Sequence, residues 1–401
     1  MTGYTGAGYR APRYAPQRGT VGKLFARESP LRRMDWILVI AALALSGIGS
    51  LLVWSATRSR VEINHGDPQY FLVRHLVNLS IGMGLCTAVV LLGHHRLRTA
   101  APLLYLLAVL GVLAVLSPLG STVNGAHSWI VLGGGFSVQP SEFCKIAIVL
   151  GMATLLSGRV DAGERPYPDG RSIIQALALA AVPIGVILLM PDLGSTMVMV
   201  VIILGILLAS GAPKRALLGL ILIGAAGAAV VVRLHLLKQY QIARFAAFAD
   251  PGLDPSGVGY NTAQARIAIG SGGLMGKGLF HGTQTTGQFV PEQQTDFVFT
   301  VAGEELGFIG AGLIILLLGV VLWRACRIAR QANDLYSTVV AAGVVTWFGF
   351  QGFENIGMTL GIMPVAGIPL PFVSYGGSSM FAIWIGVGLL QSVKMQRSMA
   401  A

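Results

Sequence analysis

A long polar, glycine-rich segment carries the side chains best suited to chemistry. It spans residues 259–310 and reads GYNTAQARIAIGSGGLMGKGLFHGTQTTGQFVPEQQTDFVFTVAGEELGFIG. It contains Arg266 and Lys277, and it brings Asp296 to the start of an apolar stretch. A carboxylate acts as a general base towards a hydroxyl group, and Arg and Lys stabilise phosphate charge. The segment therefore predicts proton abstraction by Asp296 beside a bound anionic phosphate, with Arg266 and Lys277 as its cationic partners.

A structural role is the alternative for Asp296. Thr295 is a good helix cap, and an acid in the first turn of a helix is favoured by the helix dipole. The glycines between residues 270 and 278 would let backbone N–H groups approach a phosphate, but the pattern is not a Walker motif. The spacing alone leaves both roles for Asp296 open.

Further ionisable residues lie within apolar stretches, where they are costly and so are candidates for function. Glu142 and Lys145 are three residues apart, which places them on one face of a helix, where they neutralise each other. Asp192 follows Pro191 at the start of an apolar stretch. Both cases have a structural alternative: an intrahelical ion pair for Glu142 and Lys145, and a helix N-terminus for Asp192.

The elements that position these residues are predicted to be membrane helices. Hydrophobic residues make up 54% of the chain and charged residues only 11%, against roughly 25% in soluble domains. The predicted fold is an all-α polytopic membrane protein without a sheet of consequence. Ten transmembrane helices are expected, with a large extracytoplasmic loop, residues 235–295, between the seventh and the eighth. The ten apolar stretches begin near residues 36, 71, 102, 140, 173, 192, 216, 297, 338 and 371.

The distribution of basic residues predicts how the chain is oriented in the membrane. Most of the 28 Lys and Arg residues fall in the segments that are cytoplasmic when both termini are cytoplasmic, as the positive-inside rule requires. The charge of +11 is thus explained by membrane topology and predicts no nucleic-acid partner. Residues 1–34 are expected to form a disordered cytoplasmic tail before a membrane domain at 35–397. The three cysteines have no metal-binding spacing and are expected to be core residues.

This orientation places three unusual segments on the outer face: residues 117–139, 234–295 and 361–377. The last, GIMPVAGIPLPFVSYGG, contains too many prolines and glycines to be a continuous helix. Non-helical backbone at membrane depth occurs where protein buries it or a wet cavity lines it, so an outward-facing cavity is expected. Residues 235–250 interleave apolar and polar side chains, which predicts a helix on the outer membrane surface.

Several long motifs closely resemble the SEDS family of bacterial cell-wall proteins. The matching stretches are NGAHSWIVLGGGFSVQPSEFCKIAIV, PDLGSTMVMV, GYNTAQARIAIGSGGLMGKG, PEQQTDFVFTVAGEELGFIG and NIGMTLGIMPVAGIPLPFVSYGGSS. The resemblance runs from about residue 35 to residue 394, and GIMPVAGIPLPF is similar to the RodA branch. Two positions depart from the family pattern: Gln294 stands where His is usual, and Ala366 where Thr is usual. The first argues against a proton relay through His but leaves the acid in place.

The resemblance implies a peptidoglycan glycosyltransferase that polymerises lipid II at the outer face of the cytoplasmic membrane for cell elongation. It implies Asp296 as the catalytic acid and functional roles for Trp129, Glu142, Lys145 and Asp192. Implied partners are a class B penicillin-binding protein and the Mre-type elongation machinery. No cofactor is fixed; a divalent cation, Mg²⁺ or Mn²⁺, accompanying the diphosphate is the one candidate. A lipid II flippase and a non-catalytic scaffold are the alternatives from other functional classes.

Overall fold

The computed structural model describes residues 33–60, 64, 66–123, 126–133, 136–190, 192–234, 242, 248 and 257–400. The chain divides into two units, Met1–Met34 and Asp35–Ala401, and the elements below belong to the second. The helices are α1 (Trp36–Thr57), α2 (Tyr70–Gly93), α3 (His95–Val115), α4 (Pro140–Asp161), α5 (Gly170–Leu189), α6 (Leu193–Ala209), α7 (Lys214–Arg233), α8 (Val258–Ser271), α9 (Thr283–Thr286), α10 (Val298–Arg330), α11 (Leu335–Leu360) and α12 (Gly377–Ala400).

Each of the ten apolar stretches falls on a helix, because only a helix satisfies the backbone of a lone segment away from water. In the described part of the chain, seven helices are long and apolar enough to cross a membrane: α1 to α5, α10 and α12. Helix α6 is apolar but has only 17 residues. The chain is thus a mostly helical, multi-pass protein, and the count of ten spans stays a prediction. The predicted tail and the predicted surface helix lie outside the described residues, apart from residues 33, 34, 242 and 248.

Residues 117–139 correct the expectation of a fold without a sheet. They form three antiparallel strands, β1 (Gly120–Val123), β2 (Ala126–Gly133) and β3 (Phe136–Val138), in the order β1-β2-β3. Trp129 on β2 pairs with Ser121 on β1. The turn residues of this segment predicted a loop, whereas its aromatic and β-branched residues favour strands.

Helix α10 is irregular near its start. Residues Ala302–Leu306 form a π-helical turn, and Gly307 has a positive φ of 67°. A Cβ at Gly307 would lie 2.2 Å from the backbone nitrogen of Gly276, so only glycine permits this approach between the 272–276 turn and α10. The polar loop is therefore packed directly against the first turns of α10.

The segment between α11 and α12 is non-helical, as its prolines and glycines predict. Helix α11 ends at Gly361, which is left-handed with φ 74°. Phe372 lies within the segment at φ 68° and is 1% exposed, and its ring packs edge-on against Phe348 and Trp384. A positive φ costs a bulky residue about 1–3 kcal/mol, which burial of an aromatic side chain offsets. Phe372 thus anchors the segment in the aromatic core.

Polar contacts distinguish the two ends of the helical bundle. At one end, the Arg324 guanidinium contacts Asp35 at 2.6 Å and Arg98 contacts Asp161 at 3.0 Å, which joins α10 to the start of α1 and α3 to α4. The sheet, residues 257–297 and residues 361–377 lie at the opposite end. All candidate site residues belong to elements that begin or end there.

Candidate functional site

The proline- and glycine-rich segment 361–377 is the element around which the site is built. Its backbone is not helical, so its carbonyl groups need partners from other elements. Two polar residues one turn apart on α11 supply them. Gln351 donates from Nε2 to the Pro369 carbonyl at 2.9 Å, and Asn355 donates from Nδ2 to the Ile368 carbonyl at 2.7 Å. Both side chains are fully buried, so α11 fixes the path of the segment.

Asp296 lies in the turn that precedes α10 and is half-buried. Its backbone carbonyl accepts from Nδ2 of Asn355 at 2.7 Å, the same amide group that donates to the Ile368 carbonyl. One side chain of α11 therefore joins the predicted base to segment 361–377.

The residues before Asp296 are bound to the same segment. The Ser374 hydroxyl donates to the Thr295 carbonyl at 2.5 Å, and the Tyr375 N–H donates to the Gln294 carbonyl at 2.8 Å. Three consecutive carbonyls, those of residues 294 to 296, are thus hydrogen-bonded across to α11 and the 361–377 segment. The backbone that carries the Asp296 carboxylate is held in place from both directions.

Thr295 does not cap α10, so the predicted structural role of that residue is wrong. Phe297 is the N-cap, without a side-chain hydrogen bond, and α10 begins at Val298. The Thr295 hydroxyl instead donates to Oε2 of Glu292 at 3.2 Å. Asp296 precedes the N-cap and so lies outside the first helical turn, where the dipole effect is concentrated. The structural explanation for an acid at this position is weakened.

Arg60, just after α1, holds the turn from the other side. It donates from Nη1 to Oε1 of Gln294 at 3.3 Å and from Nη2 to the Val290 carbonyl at 3.2 Å. Burial lowers the pKa of the Arg60 guanidinium, and the nearby Glu292 carboxylate raises it. Gln294, which stands where the family usually has His, therefore has a structural partner in this chain.

Glu142 and Lys145 form the predicted intrahelical ion pair near the start of α4. The Lys145 Nζ atom lies 2.7 Å from Oε1 of Glu142 and 3.1 Å from Oε1 of Gln351, and it faces the ring of Trp347 at 5.1 Å. Lys145 and Gln351 are fully buried and Glu142 nearly so. Because Gln351 also binds the Pro369 carbonyl, this charged pair is connected to segment 361–377.

Asp192 is the N-cap of α6, as an acid at a helix start predicts. Its Oδ1 accepts from the Ser195 N–H at 3.0 Å, and its Oδ2 accepts from Nε2 of Gln139 at 3.2 Å. The next turn touches the central segment: a Cβ at Gly194 would lie 2.6 Å from the Ala366 carbonyl oxygen. Asp192 therefore joins the start of α6 to the residue between the sheet and α4.

Trp129 and Arg266 lie at the same end of the bundle but take no part in these networks. Trp129 is half-buried on β2. Arg266 is exposed on α8, and its Nε would lie 3.4 Å from a Cβ at Gly361. Arg266 thus covers the beginning of segment 361–377, and its predicted contact with phosphate stays a prediction.

Lys277 forms an ion pair that the sequence did not indicate, and its predicted contact with phosphate stays a prediction. Its Nζ atom lies 2.7 Å from Oε1 of Glu304 on α10. Glu304 also accepts from the backbone N–H groups of Gln284 and Thr285, at the start of the short helix α9, and from the Thr285 hydroxyl, each at 2.8 Å. The cation that pairs with Glu304 is therefore Lys277, from the same polar loop. Lys277 and Glu304 together anchor the loop.

Sequence reasoning missed three residues of this site: Arg60, Gln351 and Asn355. The last two carried a usable signal, since they are polar, lie four residues apart on one face and interrupt an apolar helix. No sequence signal indicated Arg60, because its partner Gln294 is 234 residues away in the chain. In the described part of the chain, no group of three or more His, Cys, Asp and Glu side chains is placed to hold a metal. Mg²⁺ held chiefly by substrate phosphates needs only one or two carboxylates, so the divalent cation stays a prediction.

The fold and the site define a polytopic membrane protein with an acid-bearing polar site at one end of its helical bundle. The family model described as "Cell cycle protein", FTSW_RODA_SPOVE, matches residues 35–399. The chain belongs to this family, FtsW/RodA/SpoVE or SEDS, and several of its curated relatives are named peptidoglycan glycosyltransferase.

Two relatives and one solved structure illustrate the similarity. The chain is 38% identical over 360 residues to the stage V sporulation protein E of Bacillus subtilis, which covers 90% of this chain and 96% of that protein. It is 33% identical over 366 residues to the peptidoglycan glycosyltransferase MrdB of Escherichia coli K12, covering 91% and 95%. A solved chain from a peptidoglycan synthase complex that coordinates polymerization and crosslinking matches with a TM-score of 0.74 and 31% identity, covering 91% of this chain and 98% of that one.

Proposed function

We propose that this protein polymerises lipid II into glycan strands at the outer face of the cytoplasmic membrane, with Asp296 as general base. One observation carries the proposal: the half-buried Asp296 stands on a turn whose three consecutive carbonyls are hydrogen-bonded to α11 and segment 361–377. A base must be held at a fixed position relative to its substrate to be effective. The curated relatives named peptidoglycan glycosyltransferase point to the same chemistry.

The reaction uses one proton acceptor and one leaving group. The 4-hydroxyl of the acceptor GlcNAc attacks C1 of the donor MurNAc, and its proton passes to the Asp296 carboxylate. The bond between C1 and the diphosphate oxygen breaks, its electron pair stays on that oxygen, and undecaprenyl diphosphate leaves. Attack from the face opposite the leaving group inverts the configuration at C1. The buried Lys145–Glu142 pair fixes Gln351, which in turn holds the Pro369 carbonyl beside this site.

The two alternatives differ in what they require. A lipid II flippase needs a polar passage but no outward-facing base, and a scaffold needs neither. The decisive experiment incubates the purified protein with lipid II and resolves the products on a glycan gel. Polymer made by the wild-type protein and lost with Asp296→Asn supports the proposal. A correctly folded protein, active with its partner bound, that moves lipid II across vesicles without forming polymer would establish the flippase instead.

We also propose that the protein serves cell elongation and rod shape and belongs to the RodA branch. The GIMPVAGIPLPF stretch and the similarity to MrdB support this assignment. The identities of 38% and 33% to a sporulation protein and to MrdB do not separate the branches by themselves. Expression in cells depleted of their elongation polymerase tests the proposal. Restored rod shape supports it, whereas restored septation in cells depleted of their division polymerase would contradict it.

The partner that we propose is a class B penicillin-binding protein, whose transmembrane helix packs between α10 and α11. An apolar groove of about 300 Å³ lies there, and glycines line it on both sides: Gly319 on α10, and Gly349, Gly352 and Gly357 on α11. Small residues let a membrane helix approach closely, which is how such helices associate without a hydrophobic driving force. Phe353 and Ile362 flank the groove and are more than half exposed.

A further inference from the structure

The start of α12 presents a helix N-terminus to the site. The helix is 24 residues long, begins at Gly377 and follows Tyr375 and Gly376. Its first N–H groups precede the first intrahelical bond, from the Met380 N–H to the Gly376 carbonyl, and a helix start of this kind favours anions. Tyr375, Gly376 and Gly377 are half-buried, so this turn is partly open to solvent.

Two side chains of α2 reach the same turn with unused hydrogen-bonding groups. His75 is fully buried and stacks on the ring of Tyr375, with the ring centroids 6.1 Å apart, and neither of its nitrogens has a hydrogen-bond partner among the residues described. Asn78, one turn later, is 4% exposed, and its amide oxygen has no partner in the same part of the chain. Both amide atoms of Asn78 would lie 3.5 Å from a Cβ at Gly377.

Buried polar groups without partners are costly, so two on one helix face mark a place where a bound polar ligand or water would be stabilising. Helices α2 and α12 pack closely just beyond this point, where a Cβ at Gly82 would lie 3.1 Å from the Trp384 side chain and 3.3 Å from the Met380 carbonyl oxygen. The unpartnered groups of His75 and Asn78 lie before this contact, beside Tyr375 and Gly377 at the start of α12. A ligand bound there would satisfy them.

The hydrogen-bonding groups at the start of α12 are suited to binding an anion. Backbone N–H groups, a neutral imidazole and a side-chain amide all donate, and the amide of Asn78 can present its NH₂ group in either orientation. Arg74, adjacent to His75, adds positive charge: its guanidinium lies 4.2 Å from the centroid of the Tyr70 ring and donates to the Tyr375 hydroxyl. None of these residues carries a carboxylate group.

The anion site adjoins the predicted base. Tyr375, on which His75 stacks, donates its N–H to the Gln294 carbonyl at 2.8 Å, two residues before Asp296. We propose that the first turn of α12, with His75 and Asn78, binds the diphosphate of the lipid-linked sugar donor and stabilises it as the leaving group. The inference rests on the proposed polymerase function and adds the leaving-group site to it. When the bond between C1 and oxygen breaks, these donors stabilise the charge left on the diphosphate.

The test measures diphosphate binding apart from catalysis. Purified full-length protein in nanodiscs is titrated with inorganic diphosphate and with farnesyl diphosphate, which separates a free from a lipid-linked anion. The variants are His75→Phe and Asn78→Leu, which keep size but remove the polar atoms. His95→Phe, an exposed histidine at the start of α3, is the matched control. Asp296→Asn is included because it abolishes the proposed chemistry without touching the anion site.

We expect His75→Phe and Asn78→Leu each to weaken farnesyl diphosphate binding about tenfold or more, with an unchanged or raised thermal midpoint, since an unpartnered polar group is removed. Binding should persist in Asp296→Asn and His95→Phe. Unchanged affinity in both α2 variants overturns the site, and so does binding of inorganic but not farnesyl diphosphate. If the wild-type protein binds diphosphate but makes no glycan, the polymerase proposal fails and the anion site stands. If His75→Phe makes glycan at the wild-type rate with unchanged affinity, the site fails and the polymerase stands.

Discussion

At the scale of single residues, Asp296 carries the sharpest prediction. Asp296→Asn keeps the size of the side chain and its hydrogen-bonding ability but cannot accept a proton. If Asp296 is the base, polymerisation should fall by about 10²–10⁴-fold, the usual contribution of a general base. If it is only an acid near a helix start, the loss is roughly 0.3–1 kcal/mol of stability, with little effect on rate. Glycan gels with purified protein measure the difference.

The control for Asp296→Asn is Glu292→Gln, a neighbouring acid whose Oε2 accepts from Gln294 and Thr295. It tests whether any acid in this turn suffices. Membrane levels and partner binding must match those of the wild-type protein, so that misfolding is not mistaken for lost chemistry. An Asp296→Asn protein that makes glycan at a near wild-type rate would refute the assignment and direct attention to Glu292.

Lys145 and Glu142 allow a prediction about stability. Lys145→Met leaves the Glu142 carboxylate buried without its cation, and breaking a buried ion pair in this way costs about 3–5 kcal/mol. We expect a marked fall in thermal midpoint. The double variant Glu142→Gln with Lys145→Met should regain much of that stability, since no buried charge remains. Activity should not return if the pair also orients Gln351. A Lys145→Met protein with a wild-type midpoint would contradict the ion pair.

At the scale of elements, Glu304 determines how the outer loop is held. Its carboxylate accepts six hydrogen bonds, from Lys277, Ser271 and the first turn of α9, so Glu304→Gln removes charge from all six. Hydrogen bonds to charged groups are worth about 1.5–3 kcal/mol each, so we expect faster amide exchange over residues 271–288. Lys277→Met removes one partner and should produce a smaller change.

The same pair of variants distinguishes a loop-anchoring role of Lys277 from its predicted phosphate-binding role. A lysine that anchors the loop affects amide exchange and leaves the affinity for farnesyl diphosphate unchanged. Weaker diphosphate binding by Lys277→Met, with normal exchange in the loop, would restore the phosphate role that the sequence predicted.

A bulky side chain in the apolar groove between α10 and α11 should prevent the partner helix from binding. Nothing lies within 4 Å of a Cβ at Gly319, so Gly319→Leu is tolerated by the protein itself but occupies the space between α10 and α11. We expect it to abolish copurification with the class B penicillin-binding protein. Gly224→Leu on α7 is the matched control, since a Cβ there also meets open space. Unchanged copurification of Gly319→Leu would place the partner elsewhere.

What the sequence could predict depends on how far apart the interacting residues are in the chain. Asp192 as a helix cap and the Glu142–Lys145 pair follow from spacings of three residues, which a helix fixes locally. Lys277 and Glu304 are 27 residues apart and Arg60 and Gln294 are 234 apart, so their pairing exists only once the helices have packed. The small sheet was missed because a segment rich in turn residues also contained strand-forming ones.

At the scale of the whole molecule, different polar groups lie at the two ends of the helical bundle. The ion pairs of Arg324 with Asp35 and of Arg98 with Asp161 join helix ends on one side of the bundle. The other side carries the sheet, the loop and segment 361–377, with the Glu142–Lys145 and Lys277–Glu304 ion pairs and the side chains that bind the carbonyls of the segment. A polymerase that works on an outward-facing lipid needs this second side to be extracytoplasmic.

That requirement is tested by labelling single cysteines from either side of the membrane. Cys86 and Cys144 are buried, so replacing the more accessible Cys326 by Ala gives a suitable background. Thr286→Cys in the loop is exposed and should react with an impermeant maleimide in intact cells. Glu164→Cys, exposed between α4 and α5, should react only after permeabilisation. The positive-inside distribution of Lys and Arg predicts this pattern. Labelling of position 286 from the cytoplasm alone would reverse the orientation, place Asp296 on the side away from the growing wall and rule out polymerisation at the outer face.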